Sequence, residues 1–317
     1  PIYTWMLLAG VVLLARRNRL GLALLLLVPM LQDAQAQTAN ANTLVPSSAS
    51  RSFVSLDDPV ETTNGPMSSL FLHYANQPLL YRYKNEAQPS IQVVRELWTA
   101  DLSLGHRQGA FDFSMRLPVH PYVAGDAFRR WGTIGDTTAS VRYRMLSRSV
   151  DSLGLAFSGH VTAPTGNRLY WLSDGPMAGT AMVHLSAGTT IVVASHLGFQ
   201  FGSPQNLGAL ITRPQMQWAL GTQIPIKASW SSSVEFTGSH HLASPAELGA
   251  HPMELLGAAQ WAINNQWQLS AGAATAMSRG IGTPSYRLLF GVQYGPGHRT
   301  DKTLVLTKLS ETATLSL

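Results

Sequence analysis

The feature that most constrains the fold of this chain is an alternation of apolar and polar residues that recurs from residue 68 onward. In GAFDFSMRLPVH, residues 109–120, Phe111 and Phe113 share one parity, while Asp112 and Arg116 share the other. A period of two is the spacing of a β-strand with two different faces. One face of such a strand meets an apolar medium, either a protein core or lipid, and the other meets water.

The alternation recurs in twelve segments, which we interpret as twelve strands. They lie near residues 68–83, 91–105, 109–119, 136–146, 152–163, 177–187, 190–201, 209–224, 227–238, 253–263, 266–277 and 285–295. Most are longer than the ~5–6 residues usual in soluble sheets. They reach the ~9–11 residues that a tilted transmembrane strand needs. Their length therefore favours strands that cross a membrane.

The connections between these segments alternate between short and long. The short ones are 106–108, 147–150, 188–189, the bend near Pro225, and 264–265, and the long ones are 84–90, 120–135, 164–176, 202–208, 239–252 and 278–284. Outer-membrane barrels have short periplasmic turns and long outer loops. An open sheet edge is excluded in hydrocarbon, because every backbone polar group needs a partner there. We predict an all-β fold over residues 68–297: a closed antiparallel transmembrane up-and-down β-barrel of about twelve strands.

The composition agrees with this fold class and excludes several functions. Charged residues make up 12% of the 317 residues, about half the usual share of a soluble domain. A secreted soluble β-protein is therefore a poor alternative. The chain has no Cys, which excludes disulfides and thiolate metal sites. No Lys/Arg run with interleaved aromatic residues is present, so we expect no nucleic-acid partner.

The start of the chain has the features of an export signal. Cationic residues at 16–19 precede an apolar run at 21–31, and Ala34 and Ala36 form an A-x-A cleavage site. We predict a signal peptide over residues 1–36. A membrane anchor is the alternative, but the charges interrupt the ~20 apolar residues that a spanning helix needs.

Two further segments flank the predicted barrel. Residues 37–67 are rich in Ala, Ser, Thr and Asn, and we interpret them as a flexible periplasmic segment. Residues 298–317 are interpreted as a C-terminal tail or as the start of a missing periplasmic region.

The alternation assigns individual side chains to the two faces of the predicted barrel. The charged and titratable candidates for the lumen are Asp101, Asp112, Arg116, Arg142, Arg144, His160, His184 and Arg287. The candidates for contact with lipid are Phe111, Phe113, Leu155, Phe157, Trp218, Leu288 and Phe290. The lumen set either forms a charged constriction that biases solute passage or forms ion pairs that tie the strands together.

Aromatic residues cluster near the predicted strand ends. They are Trp98, Trp131, Tyr143, Trp171, Trp218, Trp230, Trp261, Trp267, Tyr286 and Tyr294. This placement favours interfacial girdles, where a ring lies in the apolar layer and its polar atom reaches water. The alternative is the ordinary enrichment of aromatic residues in strands.

Catalytic and metal-binding constellations are weak in this sequence. Ser158 and His160 share a strand face, but their candidate acids, Asp136 and Asp151, lie elsewhere, and no G-x-S-x-G motif is present. We predict that the protein is not an enzyme and uses no cofactor.

A loop motif also falls short of a metal site. Ser239-His240-His241 has Glu247, His251 and Glu254 nearby. A metal site needs about three convergent ligands, whereas adjacent His side chains of an extended chain diverge. We predict no metal.

Four segments of the chain carry a resemblance to a known family. They are TIGDTTASVRYRML (133–146), TAPTGN (162–167), LSDGPMAGTAMVHL (172–185) and the long stretch at 253–297. They resemble the N-terminal barrel of large OmpA-family proteins, which are common in myxobacteria and related proteobacteria. The residues that match the family's pattern are Pro252, Glu254, Leu255, Leu256, Gly272, Arg279, Gly280, Gly282, Pro284, Arg287, Gly291 and Tyr294.

The resemblance, which covers about 68–297, implies an outer-membrane location and a role in transport, anchoring or surface assembly. Such proteins usually continue into a periplasmic peptidoglycan-binding domain, which this sequence does not contain, so cell-wall binding is not carried over.

We therefore predict a protein of the Gram-negative outer membrane. It acts as a passive pore or transporter-like channel, or as the membrane anchor of a larger envelope protein. The alternative is a closed-lumen structural barrel whose loops 120–135, 164–176 and 239–252 bind partners. The expected partners are outer-membrane lipid, small solutes, and envelope or surface proteins.

Overall fold

The computed structural model describes residues 40–48, 51–60, 63–81, 90–204, 206–207, 210–227, 229–245 and 250–296. The predicted signal peptide with Ala34 and Ala36, and the predicted tail 298–317, lie outside the described residues. Among the residues that are described, none of the helices has the length and apolar character needed to span a membrane.

The described residues form fifteen strands and two very short helices. The strands are β1 (Gly65–Tyr81), β2 (Ile91–Gln108), β3 (Phe111–Ala124), β4 (Arg129–Ile134), β5 (Thr137–Leu146), β6 (Leu153–Ala163), β7 (Ala178–Ala187), β8 (Val192–Gly202), β9 (Asn206–Leu207), β10 (Leu210–Ile211), β11 (Gln215–Lys227), β12 (Trp230–His241), β13 (Met253–Ala262), β14 (Trp267–Ser278) and β15 (Tyr286–Tyr294). The helices are α1 (Arg148–Asp151) and a 3₁₀ turn at Arg168–Tyr170.

Twelve of these strands form one closed antiparallel barrel. Each long strand pairs with its neighbours along the chain, and β1 pairs with both β2 and β15. The pairing that closes the barrel runs from Ser68↔Tyr294 to Asn76↔Tyr286. The predicted fold class and strand number are confirmed.

Two predicted boundaries differ from the structure. The segment 120–135, predicted as a loop, contains the end of β3 and the additional strand β4, which pairs with β3 from Val119↔Ile134 to Ala124↔Arg129. The rings of Tyr122 and Trp131 pack with centroids 4.6 Å apart and join these two strands. The strand predicted at 209–224 begins after Pro214, whose nitrogen cannot donate to a ladder.

The barrel has two unlike ends, which we name by their connections. At the short-turn end, β2 and β3 are joined by two residues, of which Gly109 has a φ of +61° that favours glycine. At the long-loop end, β6 and β7 are joined by residues 164–177, and β12 and β13 by residues 242–252. The sequence predicts this alternation of short turns and long loops.

The two faces of the sheet differ in the way that the alternation predicts for a barrel in lipid. Phe111, Phe113, Phe157, Leu288 and Phe290 point outward, with 43–54% of each residue exposed. Leu155 and Trp218 occupy outward positions and are half-buried; Trp218 packs edge-on against Phe236 at 5.1 Å. All seven candidates for lipid contact therefore lie on the outer wall.

Aromatic side chains form a row near each end of the outer wall. At the long-loop end, neighbouring strands contribute Tyr286, Tyr74, Trp98, Tyr122 and Trp131. At the short-turn end, the contacting pairs are Phe111–Tyr143, Trp230–Trp261 and Trp267–Tyr294. Trp171 lies in a loop outside the strands, whereas Trp218 is the fourth residue of β11 and lies near its long-loop end.

The spacing of the two rows agrees with the thickness of a membrane. Tyr286 and Tyr294 lie at opposite ends of β15, which corresponds to ~26 Å along the strand. A tilt of about 40° reduces this to ~20 Å, close to the ~25 Å apolar band of outer-membrane barrels.

Candidate functional site

The lumen holds part of the chain itself. Residues 40–48 and 51–60, which we call the inner segment, bond to inward-facing groups along the height of the barrel. At the long-loop end, the Asn40 N–H donates to Asp174 Oδ1 at 3.0 Å. At the short-turn end, the Val60 carbonyl accepts from Arg144 Nη1 at 2.8 Å. The inner segment therefore runs from one end of the lumen to the other.

The course of the inner segment differs from the flexible periplasmic segment expected for residues 37–67. Its composition is polar, which is typical of disorder, but the wall of the lumen is polar as well and supplies hydrogen-bond partners. Phe53, Val54 and Leu56 are at most 1% exposed, so these apolar side chains of the inner segment are buried. Residues 65–67 belong to β1.

A buried carboxylate holds the middle of the inner segment. Glu235 of β12 is 0% exposed. Its oxygens accept from the Val54 N–H at 2.6 Å, the Ser55 N–H at 2.8 Å and the Ser55 hydroxyl at 2.6 Å. Charge-assisted bonds of this kind are stronger than neutral ones. Glu235 therefore acts as a bidentate clamp on the backbone of the inner segment.

Two acidic residues of the inner segment pair with arginines of the wall. Arg148 of α1 donates to both oxygens of Asp58, at 3.0 and 2.8 Å. Arg142 of β5 lies 3.8 Å from Asp57. The side chains of Arg142 and Asp58 are nearly buried, so removing Arg148 would leave the Asp58 carboxylate buried without its counter-ion.

Apolar contacts also hold the inner segment against the wall of the lumen. Phe53 and Leu56 pack in one cluster with Val192 and Ala194 on β8. A Cβ at Gly221 would lie 2.5 Å from Leu56 Cδ1, so the buried Leu56 side chain would have to shift to admit a larger residue there. The wall is therefore shaped to receive these two side chains.

The sequence-predicted charged residues of the lumen fall into two groups. In the group nearer the short-turn end, Asp112 lies between Arg107 and Arg142, and Arg142 Nε donates to it at 2.8 Å. Arg144 does not join this group, because its guanidinium donates to the carbonyls of Val60 and Gly109. Arg144 therefore anchors the inner segment.

The second group is a chain of bonds across the closure of the barrel. Arg116 donates to Asp101 at 2.7 Å, and Asp101 lies 2.9 Å from His73 Nε2. Arg287 lies 3.1 Å from His73 Nδ1 and donates to Glu254 at 2.9 Å. Arg287 can only donate, so His73 accepts at Nδ1 and carries its hydrogen on Nε2, where it donates to Asp101. This chain joins β13, β15, β1, β2 and β3.

His160 and His184 are brought together by a serine. Ser158 Oγ lies 2.8 Å from His160 Nε2 and 2.7 Å from His184 Nε2. The Asp57 carboxylate is 3.9 Å from the same Nε2 of His184. A catalytic triad requires the carboxylate at the opposite ring nitrogen, where it orients the base. The cluster lacks that geometry.

The acids considered with Ser158 and His160 are occupied elsewhere. Asp136 accepts from the backbone N–H groups of Gly166 and Asp174, at 2.9 and 2.8 Å. Asp151 accepts from the Ser147 N–H at 3.2 Å. Burial, together with the nearby Asp174 carboxylate, raises the pKa of Asp136 to about 6. Asp174 also binds Asn40. Asp136 therefore supports the loop that holds the inner segment at the long-loop end of the barrel.

A cavity of about 310 Å³ remains beside the inner segment. Its lining combines inner-segment residues with inward-facing residues of the wall, including Thr138 and Ser140 of β5. Of the eight predicted lumen residues, Asp112, Arg116, Arg142, His160 and His184 line it. Asp101, Arg144 and Arg287 instead hold other side chains or the inner segment.

Sequence reasoning missed several residues of the lumen. Asp57, Asp58, Glu235 and His73 are central to the contacts above. His73 lies on the same parity as Phe71, which is buried under the inner segment, so the alternation in β1 does not separate polar from apolar residues. Glu254 was noted only as a match to the OmpA-type pattern and as a loop candidate for metal.

The loop constellation at Ser239-His240-His241 does not converge. His241 points inward, with Nδ1 2.9 Å from the Thr212 carbonyl oxygen, whereas His240 points outward and contacts His251. Glu254 binds Arg287 instead, and Glu247 lies outside the described residues. Within the described part of the chain, no group of three or more His, Cys, Asp or Glu side chains could hold a metal ion.

Comparisons with solved structures identify barrels of the same kind. An outer membrane channel from Pseudomonas putida F1 matches with a TM-score of 0.60 at 12% identity, over 75% of this chain and 97% of that chain. The NanC porin matches with a TM-score of 0.48 at 11% identity, over 71% and 99%. The likeness to the first of these shows the fold, a twelve-stranded barrel of the outer-membrane type.

Comparisons of the sequence do not assign the chain to a family. No family model matches the chain, and no curated protein matches it. The resemblance to the OmpA-family barrel stays a prediction.

Proposed function

We propose that the protein is a channel of the Gram-negative outer membrane, through which small solutes pass beside the inner segment. The observation that carries the proposal is the cavity of about 310 Å³ between the inner segment and the polar wall. Small-molecule sites begin at about 300 Å³, so the space suits a small solute. The apolar outer wall and its two aromatic rows support insertion in lipid.

The lining of the cavity supplies the proposed selectivity. Arg116 and the Arg142–Asp112 pair place both signs of charge beside hydroxyl-bearing residues such as Ser140. Paired charges favour polar solutes of low net charge over free ions, because a passing ion would have to compete with an existing partner. No catalytic step and no cofactor form part of this proposal.

The test is conductance of the full chain in planar bilayers, together with swelling of liposomes in sugars of increasing size. We expect single-channel steps and swelling rates that fall as the solute becomes larger. Thr138→Trp fills the cavity and should lower both rates severalfold. Met145→Trp is the matched control, since Met145 lies on the same strand but is outward and 58% exposed.

A closed-lumen scaffold is the second candidate, and the bonds of the inner segment along the whole lumen favour it. That function predicts no current from well-inserted protein, including variants with a weakened inner segment. Equal conductance of Thr138→Trp and Met145→Trp would also count against the channel. An anchoring role in a larger envelope protein, implied by the OmpA-type resemblance, predicts that the protein co-purifies with other envelope proteins.

A further inference from the structure

Two histidines meet on the outer wall at the long-loop end of the barrel. His240 is the penultimate residue of β12, and His251 precedes β13. The Ser239 N–H donates to the Pro252 carbonyl at 3.1 Å, which continues the pairing of the two strands beyond their regular ends. His240 and His251 therefore stand directly opposite one another, although eleven positions separate them in sequence.

The rings of this pair are arranged nitrogen to nitrogen. The two Nδ1 atoms are 2.6 Å apart, and the rings stack with centroids 4.3 Å apart. His251 Nε2 lies 2.9 Å from the Pro245 carbonyl oxygen, which can only accept, so this nitrogen carries the hydrogen. In neutral His251 the Nδ1 lone pair is then available, and it points at His240.

A metal ion can take the place of the hydrogen between these nitrogens. Metal–imidazole bonds of ~2.0–2.1 Å put two ligand nitrogens roughly 3 Å apart at ordinary coordination angles. The pair needs to separate by only a few tenths of an ångström. The His240 proton moves from Nδ1 to the solvent-accessible side of its ring, so both imidazoles stay neutral and no proton is lost.

A third donor lies on the other side of His240. Met216 of β11 pairs directly with His240 in the strand register, on the same outward face. Side chains opposite each other in antiparallel strands have Cβ atoms about 4.5–5.5 Å apart, so the thioether reaches the His240 ring and has to extend over it to meet an ion held between His240 and His251. Met216, His240 and His251 therefore form one row across three strands.

We propose that His240, His251 and Met216 form a copper site on the outer rim of the barrel. Two imidazole nitrogens bind Cu²⁺, and imidazole with thioether is a ligand set that also accepts the softer Cu⁺. The remaining coordination positions face water, because His251 is exposed. His241 is not part of the site, since its ring points inward to Thr212. The proposal does not depend on channel activity.

The test is titration of the purified full chain in detergent with Cu²⁺, followed by electron paramagnetic resonance. We expect one tight ion per chain, with hyperfine splitting from two nitrogens. His240→Ala and His251→Ala should each weaken binding by at least about tenfold, since loss even of an outer-shell partner costs this much. His106→Ala is the matched control, because His106 is an exposed histidine at the other end of the barrel.

Cu⁺ prepared with ascorbate under anaerobic conditions tests the thioether. Met216→Leu conserves the volume and should weaken Cu⁺ binding at least tenfold against a competing chelator, while Cu²⁺ binding is retained. Unchanged Cu²⁺ affinity in both histidine variants, or a loss of equal size in His106→Ala, would overturn the site. Unchanged Cu⁺ affinity in Met216→Leu would remove methionine from it.

Discussion

Replacing Glu235 by alanine should release the inner segment from the wall of the lumen. The Glu235 carboxylate accepts from the Val54 and Ser55 N–H groups and from the Ser55 hydroxyl. The substitution leaves the buried Val54 N–H and the partly buried Ser55 N–H without this acceptor, and each loss costs about 1–3 kcal/mol. The total of roughly 2–6 kcal/mol shifts docking toward release about 30-fold to about 10⁴-fold.

Amide hydrogen exchange on the protein in lipid nanodiscs measures this release. Exchange at residues 53–56 should accelerate by that factor in Glu235→Ala, and single-channel conductance should rise because the lumen widens. Gln223→Ala is the matched control, since this inward side chain donates to Ser231 of the wall. The clamp is refuted if exchange at residues 53–56 is the same in Glu235→Ala and the wild-type protein.

Three further predictions test the apolar contacts of the inner segment, the outer wall of the barrel and the loop at residues 164–176. Gly221→Ala should loosen the inner segment by about 1–3 kcal/mol, because the added Cβ meets Leu56 at 2.5 Å; unchanged exchange at residue 56 would contradict this. Phe157→Arg should cost about 2–4 kcal/mol in bilayer unfolding experiments, whereas Ser140→Arg, inward on the adjacent strand, should cost less. The protonated form of Asp136 stabilises its loop; this contribution is complete below about pH 4 and is lost as the pH rises through about 6. Intrinsic-rate-corrected exchange in loop 164–176 should accelerate over that range, and Asp136→Asn should abolish the change.

The strands and their faces could be predicted from the sequence because one face of each strand meets lipid and the other meets a polar lumen. Phe111 and Phe113 on one parity, with Asp112 on the other, are sufficient to assign the faces of β3. The boundaries were less predictable, because β4 is held by its pairing with β3 and by the contact of Tyr122 with Trp131. That contact lies between two strands, and the alternation within a single strand does not reveal it.

The inner segment could not be predicted, because its order depends on partners far away in sequence. Val54 and Glu235 are 181 positions apart, and Asp58 and Arg148 are 90 positions apart. Read alone, residues 40–60 contain too few apolar side chains to form a core. Their burial follows from a polar lumen that only the closed barrel creates.

Spin-label accessibility along β6 tests the central claim, that lipid surrounds one face of a closed barrel whose other face is wet. The chain has no Cys, so a single cysteine introduced at each position from 153 to 163 reports only its own surroundings. We predict that contact with dissolved oxygen peaks at 153, 155, 157, 159 and 161, while contact with a water-soluble nickel complex peaks on the opposite parity or is blocked there by the inner segment. High nickel contact at the outward positions would contradict the account.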